Sequence, residues 1–300
     1  NMCTFCVVPF TRGRERSRDP KSILAEIKEL EKNGYKEITL LGQNVDSYLW
    51  YGGGLKKDFK KASDIQKKTS INFAKLLDIV AKSFPKFRIR FTTSNPQDMD
   101  NEVLITMKAH NNICNHIHLP VQSGSDKILK EMNRQHTREE YLNLVSEIKT
   151  ILPDCGISQD MITGFPNETE KDHSDTLSLM NLVKYDFGFM FKYSERPGTL
   201  ASRKLDDNIP EEIKQRRLSE IIDLQFKHSF ENLSKYVNKK TVVLIEKESK
   251  KSKGFWAGRN EQNIMVVFPK EDFKSGDFVE VLVEENTATT LKGLGLNKII

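Results

Sequence analysis

The feature that most constrains this chain is a repeated switch of hydrophobic period, from helical to strand-like and back, over its first two thirds. Ile23, Ile27 and Leu30 recur at helical spacing behind Pro20, which suits a first helical position, and Asn33-Gly34 can close that helix. Residues 37–41 then read as a buried strand. The unit recurs: Phe73, Leu76, Leu77 and Val80 precede a strand over 87–91, and residues 99–110 precede one over 117–119. Thr137 and Glu140 spell a capping box ahead of Tyr141, Leu144, Val145 and Ile148, with a strand expected over 157–162. Asn167 and Glu170 are expected to cap the next helix, which leads to a strand over 187–191. A series of βα units calls for parallel strands with right-handed crossovers. The expected fold class is therefore α/β: a partial or full (β/α) barrel, with a doubly wound sheet as the competing topology. The chain opens on a loop that leads to a helix, so one more strand is expected upstream of Asn1. In either topology active sites form at the carboxyl ends of the strands.

After Pro210 the pattern changes. A long helix is expected with Leu218, Ile222, Phe226, Phe230 and Leu233 packing one face, followed by short strands at 241–245, 264–268, 278–283 and 288–291. These suggest a small all-β barrel, dividing the 300 residues into domains at 1–235 and 236–300. Residues 51–70, with Gly52-Gly53-Gly54 and six Lys, lack apolar periodicity and read as a loop insertion. No stretch approaches 18 uncharged apolar residues, which excludes a membrane-spanning helix. The net charge is +5, and residues 227–253 alone hold eight Lys against three Glu, a local excess equal to that of the whole chain. A solvated face is the plain reading. The sharper one is an RNA footprint, in which Lys250, Lys251 and Lys253 attract phosphates and Trp256 stacks on a base.

Four Cys are too few for a disulfide scaffold and no secretory signal is visible, so a reducing, cytoplasmic setting is expected. Cys3 and Cys6 form the one close pair. Structural zinc needs two more ligands, and Cys114 and Cys155 stand alone. A redox pair should open a helix, yet Pro9 interrupts the segment. Packing explains thiols in a loop poorly. An iron-sulfur cluster with a ligand outside these 300 residues is the remaining option.

Several motifs stand in order beyond that pair. They are Thr11-Arg12-Gly13-Arg14-Glu15-Arg16-Ser17-Arg18, Leu40-Leu41-Gly42-Gln43-Asn44-Val45, His118-Leu119-Pro120-Val121-Gln122-Ser123-Gly124-Ser125, Met132-Asn133-Arg134, Asp160-Met161-Ile162-Thr163-Gly164-Phe165-Pro166 and Tyr193-Ser194-Glu195-Arg196-Pro197-Gly198-Thr199. Over nearly its whole length the chain resembles the methylthiotransferase branch of the radical S-adenosylmethionine (SAM) enzymes. Gly42-Gln43-Asn44, the Arg12 to Arg18 run and Gly258-Arg259-Asn260-Glu261-Gln262-Asn263 bring it nearest the MiaB type, the tRNA 2-methylthio-isopentenyladenosine synthases. Its later part is similar to the RNA-binding TRAM domain.

That resemblance implies a CxxxCxxC motif whose second and third cysteines are Cys3 and Cys6, with the first two residues before Asn1. Three thiolates would hold a 4Fe-4S cluster and leave one iron open to the amino and carboxylate groups of SAM, which the cluster's electron cleaves to a 5'-deoxyadenosyl radical. It further implies a preceding domain with a second, auxiliary 4Fe-4S cluster, so that this fragment alone is expected to be inactive. The product would be a methylthio group on carbon 2 of isopentenyl-modified adenosine next to the tRNA anticodon. The rivals are threonylcarbamoyl-adenosine in tRNA, a ribosomal-protein aspartate, or a non-enzymatic RNA-binding module with a vestigial barrel. A flavodoxin or ferredoxin as electron donor, a monomer and no membrane complete the expected setting.

Roles follow by position within the resemblance, with no catalytic residue assigned. Gly42, Gln43 and Asn44 would receive the SAM amino group, and Ser94, Gln122 and Arg134 its carboxylate and ribose. Ile162 and Gly164 would lie under adenine, with Phe5 and Tyr193 completing the pocket. His116 and His118 share a strand face without a third ligand, so packing or, for His118, SAM contact is preferred to a metal. Asp160 needs a partner if buried, either a SAM hydroxyl or an Arg. Arg12, Arg14, Arg16 and Arg18 form either a solvated loop or a phosphate contact for tRNA.

Overall fold

The structure is a computed structural model that describes residues 3–92, 94–250 and 252–299. Helices α1 (Val8–Arg12) and α2 (Pro20–Lys32) open the chain. Strand β1 (Glu37–Leu41) follows, then the hairpin strands β2 (Leu49–Trp50) and β3 (Ile71–Asn72), with helix α3 (Asp64–Lys68) between them. Helix α4 (Phe73–Ser83) leads to β4 (Arg88–Thr92), α5 (Asn101–Ala109) to β5 (His116–His118), and α6 (Asp126–Glu131) with α7 (Arg138–Ile151) to β6 (Gly156–Thr163). Helix α8 (Glu170–Val183) leads to β7 (Phe187–Lys192), and α9 (Leu200–Lys204) and α10 (Glu211–Ser234) complete this part.

The expected strands pair in parallel, β1 with β4 and β5 with β6 and then β7. The two groups join where Ile89 N–H donates to Asn112 O at 2.8 Å and Cys114 N–H donates to Ile89 O at 2.8 Å. The described strands therefore make an open arc with β1 and β7 at its edges. One face of the arc carries Ile38, Ile89, Phe91, Ile117, Ile157 and Met161, buried in a single core with Leu77, Leu104, Tyr141, Val145 and Leu179 from the surrounding helices. All of these helices cover that one face, which separates a partial barrel from a doubly wound sheet with helices on both. The opposite, concave face carries Arg88, Arg90, His116, His118, Ser158 and Asp160, as the period of two requires.

Two local expectations need correction. Thr169, not Asn167, caps α8 through a capping box with Asp172, while Asn167 takes a left-handed φ of 64° just outside it. Helix α10 buries Lys214, Arg217, Gln225, His228, Ser229 and Asn232 and leaves Phe226 and Phe230 about half exposed. The reason is the surface it meets: Asn232 Nδ2 donates to Lys184 O, Gln225 Nε2 to Tyr185 O and Ser229 Oγ to Asp186 O, at 2.8, 2.8 and 2.6 Å. Free loop carbonyls need donors, and the helix turns its polar stripe inward to supply them.

Strands β8 (Lys240–Glu248), β9 (Phe255–Arg259), β10 (Met265–Pro269), β11 (Phe278–Asn286) and β12 (Thr290–Ile299) close into a barrel of order β10-β12-β11-β8-β9 around Val243, Ile245, Val266, Phe268, Val279, Val281 and Leu291. Strand β9 is an addition to the expected four. Gly258 within it looks like a turn residue in sequence, yet a Cβ there would lie 2.0 Å from Leu244 O, so it marks close strand approach. The small barrel docks on the amino-terminal ends of the arc. Arg90 donates from Nε to Glu37 Oε2 at 2.9 Å, from Nη1 to Glu261 O at 3.0 Å and from Nη2 to Asn260 O at 2.5 Å. No helix among the described residues is long and apolar enough to cross a membrane.

Replacing Arg90 leaves two interfacial carbonyls without a donor and Glu37 with one cation instead of two. Arg90→Met should cost about 3 kcal/mol in urea unfolding, with the small barrel melting first. A change below about 0.5 kcal/mol would show that the dock does not depend on this side chain.

Candidate functional site

The cysteine loop is stitched to the carboxyl side of the arc by backbone bonds. Thr4 N–H donates to Met132 O at 3.0 Å, Thr4 Oγ1 donates to Glu131 O at 3.0 Å, and Ala201 N–H donates to Thr4 O at 2.8 Å. Within it Cys6 N–H donates to Cys3 O at 3.1 Å, a turn that leaves both thiols free and partly exposed. Arg134 Nη1 donates to Cys3 Sγ at 3.5 Å, and its Nη2 donates to Pro120 O. Burial pushes the Cys6 thiol up. Cys114, buried in the core, is pushed up to about 11 by the same cause and Cys155 higher still, so both stay protonated structural thiols.

A second group lies at the ends of β1 and β4. Gly42-Gln43-Asn44 leaves β1, and Asn44 Nδ2 donates to Asp98 Oδ2 at 2.7 Å while its Oδ1 is buried without a partner. Buried Ser94 donates to Asp46 Oδ1 at 3.3 Å, and Asp46 Oδ2 has no partner. Burial, with a smaller contribution from Asp98, pushes the Asp46 carboxyl up to about 7.

A third group belongs to β5, β6 and β7. Gln122, at a left-handed φ of 78°, extends the sheet by one rung: its N–H donates to Asp160 O and its O accepts from Ile162 N–H, both at 2.9 Å. His118 Nδ1 and His116 Nε2 each lie 2.9 Å from Ser158 Oγ, and His118 Nε2 is 3.4 Å from Asp160 Oδ1. Asp160 thus finds a histidine, neither of the two partners expected. Burial drives His116 down to about 3, which keeps it neutral. Phe5, Ile162 and Tyr193 gather around Phe165, with ring centroids 6.4 Å (Phe5) and 5.2 Å (Tyr193) away. Gly164 takes φ +67° and donates from N–H to Glu168 Oε2 at 2.6 Å. A Cβ there would lie 2.4 Å from Lys214 Cγ, so a side chain is excluded by both conformation and space.

The expected SAM residues thus fall into a β1/β4 group (Gly42, Gln43, Asn44, Ser94) and a β5 to β7 group (His118, Gln122, Arg134, Asp160, Ile162, Gly164, Tyr193, with Phe5). Sequence reading missed Asp46 and Asp98, whose roles depend on contacts across loops. It also missed Phe189 and Phe191, 54% and 53% exposed, which share a face with their register partners Asp160 and Ile162. Alternation along β7 is the signal that could have found them.

Of the expected RNA residues, Arg12, Arg14 and Arg16 are exposed. Arg18 is tied to Glu26 and, at 2.9 Å, to Ser22, which fixes the start of α2. Lys250 and Lys253 are exposed, and Lys251 lies outside the described residues. Trp256 is half-buried: its Nε1 donates to Lys270 O at 3.1 Å and the Lys270 ammonium lies 4.8 Å from its ring centroid. Neighbouring Phe255, 37% exposed, is the ring open to solvent.

Tested against a 4Fe-4S cluster with bound SAM, the donor set fits in part. Two thiols on one turn sit beside a guanidinium, and Asn44 Oδ1 is an orphaned acceptor suited to an ammonium. Among the described residues no group of three or more His, Cys, Asp or Glu is arranged to hold a metal, so no third protein ligand is in reach.

Residues 1–180 match the radical SAM superfamily and residues 234–294 the TRAM domain. The chain is 67% identical over 293 residues to the tRNA-2-methylthio-N(6)-dimethylallyladenosine synthase of Christiangramia forsetii, covering 98% of this chain and 61% of that protein. Proteins of the same name from Flavobacterium johnsoniae and Karelsulcia muelleri are 64% and 58% identical, over 98% of this chain and 61% and 64% of theirs. The chain therefore spans less than two thirds of the length of these curated relatives.

The raised Asp46 carboxyl has a thermodynamic signature. The folded chain keeps a proton that the unfolded chain releases near the ordinary aspartate value, so this contribution to stability is full below about pH 4 and is lost as pH rises through about 7. Asp46→Asn should remove the dependence and gain on the order of 1 kcal/mol or more over wild type between those limits. A difference between the two proteins that stays flat with pH in chemical denaturation rejects the assignment.

Proposed function

The chain belongs to the radical SAM superfamily, and on that footing we propose that it is the catalytic part of a tRNA methylthiotransferase, one that adds a methylthio group to carbon 2 of isopentenyl-modified adenosine next to the anticodon. The observation that carries the reading is the thiol pair of Cys3 and Cys6 on a loop stitched to the carboxyl side of the strands, with Arg134 against Cys3. The names and high identity of the relatives support this substrate over threonylcarbamoyl-adenosine or a protein aspartate. We take residues 1–235 as the SAM domain and 236–300 as the RNA-binding barrel, in a cytoplasmic monomer fed by a flavodoxin or ferredoxin. The additional length of the relatives is where an auxiliary cluster and the remaining ligand would reside.

In this reading Cys3 and Cys6 would be two of the thiolates that hold the cluster. When bound, the cluster supplies the electron that cleaves SAM. The residues of the chain bind and orient around it. Asn44 Oδ1 would accept from the SAM ammonium, and Arg134 would serve the carboxylate as a charge-assisted partner. Gln122, pinned on both sides to β6, and Ser94 present polar groups to the ribose side. Ile162, Tyr193 and Phe5 offer an apolar wall to adenine, and Gly164 keeps its floor low. Exposed Phe189 and Phe191 add apolar surface that excludes water from the reacting carbon. Arg12, Arg14, Lys250 and Lys253 would meet tRNA phosphates.

Two measurements test this. In a deletion strain complemented with the complete gene, nucleoside analysis should recover 2-methylthio-isopentenyladenosine, and Cys6→Ala should abolish it; recovery of a methylthio-threonylcarbamoyl product instead would reassign the substrate. Asn44→Ala in the complete protein should weaken SAM binding by about tenfold, the loss expected for a hydrogen bond to a charged group. Calorimetric titration with unchanged SAM affinity would remove Asn44 from the site.

A further inference from the structure

The insertion between β1 and β4 holds six Lys, at 56, 57, 60, 61, 67 and 68, against Asp58 and Asp64. All six are exposed, and of them Lys56 pairs with Asp98, at 3.4 Å. Lys57, Lys60, Lys61, Lys67 and Lys68 form no ion pair among the described residues. The small barrel is mixed, because its strands bring acids beside four of its lysines while Lys247, Lys250 and Lys253 form no ion pair among the described residues. Lys240, Lys270, Lys292 and Lys298 pair with Glu280, Glu248, Glu285 and Asp277 at 2.6–2.9 Å. Uncompensated cations held close together repel one another, and an arrangement that keeps them there suits an anionic partner.

The insertion is also fixed in place. Leu49 N–H donates to Ser17 Oγ at 2.8 Å, Leu55 bridges to Arg16, Tyr51 OH donates to Leu55 O at 2.8 Å, and Ser63 and Gln66 form a capping box on α3. Lys57 and Lys60 lie three apart in the 3-10 turn Lys56–Lys61 and so share an edge. Through Leu55 and Arg16 this edge adjoins the loop of Arg12 and Arg14, and a cavity of 920 Å³ runs from that loop, Leu55 and Gly42-Gln43-Asn44 along the edge of β1 and the apolar face of α2. The basic arm therefore stands at the mouth of the arc. The small barrel attaches at the base, through Arg90.

We propose that this insertion is a phosphate-gripping arm, with Lys57, Lys60 and Lys61 contacting the sugar-phosphate backbone of the RNA whose base enters the arc. The proposal rests on the tRNA reading above and adds a second contact region, on the opposite end of the arc from the small-barrel dock. Anchoring limits the ordering entropy that binding would otherwise cost.

The test uses the complete protein and an isopentenyladenosine-containing anticodon stem-loop, followed by fluorescence anisotropy over a series of salt concentrations. Lys57→Ala, Lys60→Ala and Lys61→Ala combined should make the log-log salt dependence shallower by about two units and weaken low-salt binding by about tenfold or more. The corresponding Lys→Arg triple should keep the wild-type slope, and SAM affinity should be unchanged in both. If wild type binds the RNA and the Ala triple keeps its slope, the arm is wrong and the tRNA reading stands. Equal losses in the Ala and Arg triples would also overturn it, because a charge contact survives Lys→Arg. Failure of wild type to bind the RNA at all would overturn both.

Discussion

One carboxylate organises the junction between the two parts of this chain. Glu37, the first residue of β1, accepts from Arg88 and Arg90, the alternate residues of β4, through the same oxygen at 2.5 and 2.9 Å. That arrangement fixes the edge strand to its neighbour at the base of the arc. It also orients the Arg90 guanidinium so that its remaining nitrogens reach Asn260 O and Glu261 O of the small barrel. Buried guanidinium groups need partners on every side, and here the partners come from two separate folding units. The Arg88 ring contact with Phe278, at 5.5 Å, closes the same junction.

The two ends of the arc use polar groups in opposite ways. At the base Arg90 is bonded at all three of its nitrogens. At the mouth, Asn44 Oδ1, Asp46 Oδ2, Arg134 Nε and Thr163 Oγ1 are buried without partners. Unsatisfied buried atoms cost stability, and at the mouth these four are groups that a bound ligand could complete, while others, Arg88 Nη2 at the base among them, lie elsewhere in the chain. The exposed rings of Phe189 and Phe191 on the same concave face make the same point in apolar terms.

Much of this was legible in the sequence, and the exceptions share a cause. The βα succession was readable because each helix buries an apolar stripe against the sheet, which is what a hydrophobic period reports. Helix α10 inverted the reading because its neighbour is a row of free carbonyls, and the period that mattered was that of Gln225, Ser229 and Asn232. Strand β9 hid behind Gly258, whose small size serves close packing instead of a turn. The lysine window at 227–253 overstated the local charge by little, because among the described residues the one acid that reaches it from a later strand is Glu280 of β11, beside Lys240. At the candidate site, motif residues were readable, while Asp46 and Asp98 depend on contacts between loops far apart in sequence.

The hydroxyl of Ser158 lies between His116 and His118, 2.9 Å from each ring, and it owns a single proton. It can donate to one ring only, so the other must donate to it. Asp160 Oδ1 lies 3.4 Å from His118 Nε2, where the carboxylate favours a proton on that nitrogen, and in that tautomer His118 Nδ1 is an acceptor. With the proton there, Ser158 donates to His118 and accepts from His116 Nε2. The four groups form a one-way row of donors that begins at the base of the arc and ends on a carboxylate at its mouth. Reversing any member requires reversing them all, so the tautomer of a buried imidazole beside the small barrel is set by what Asp160 bonds to at the other end.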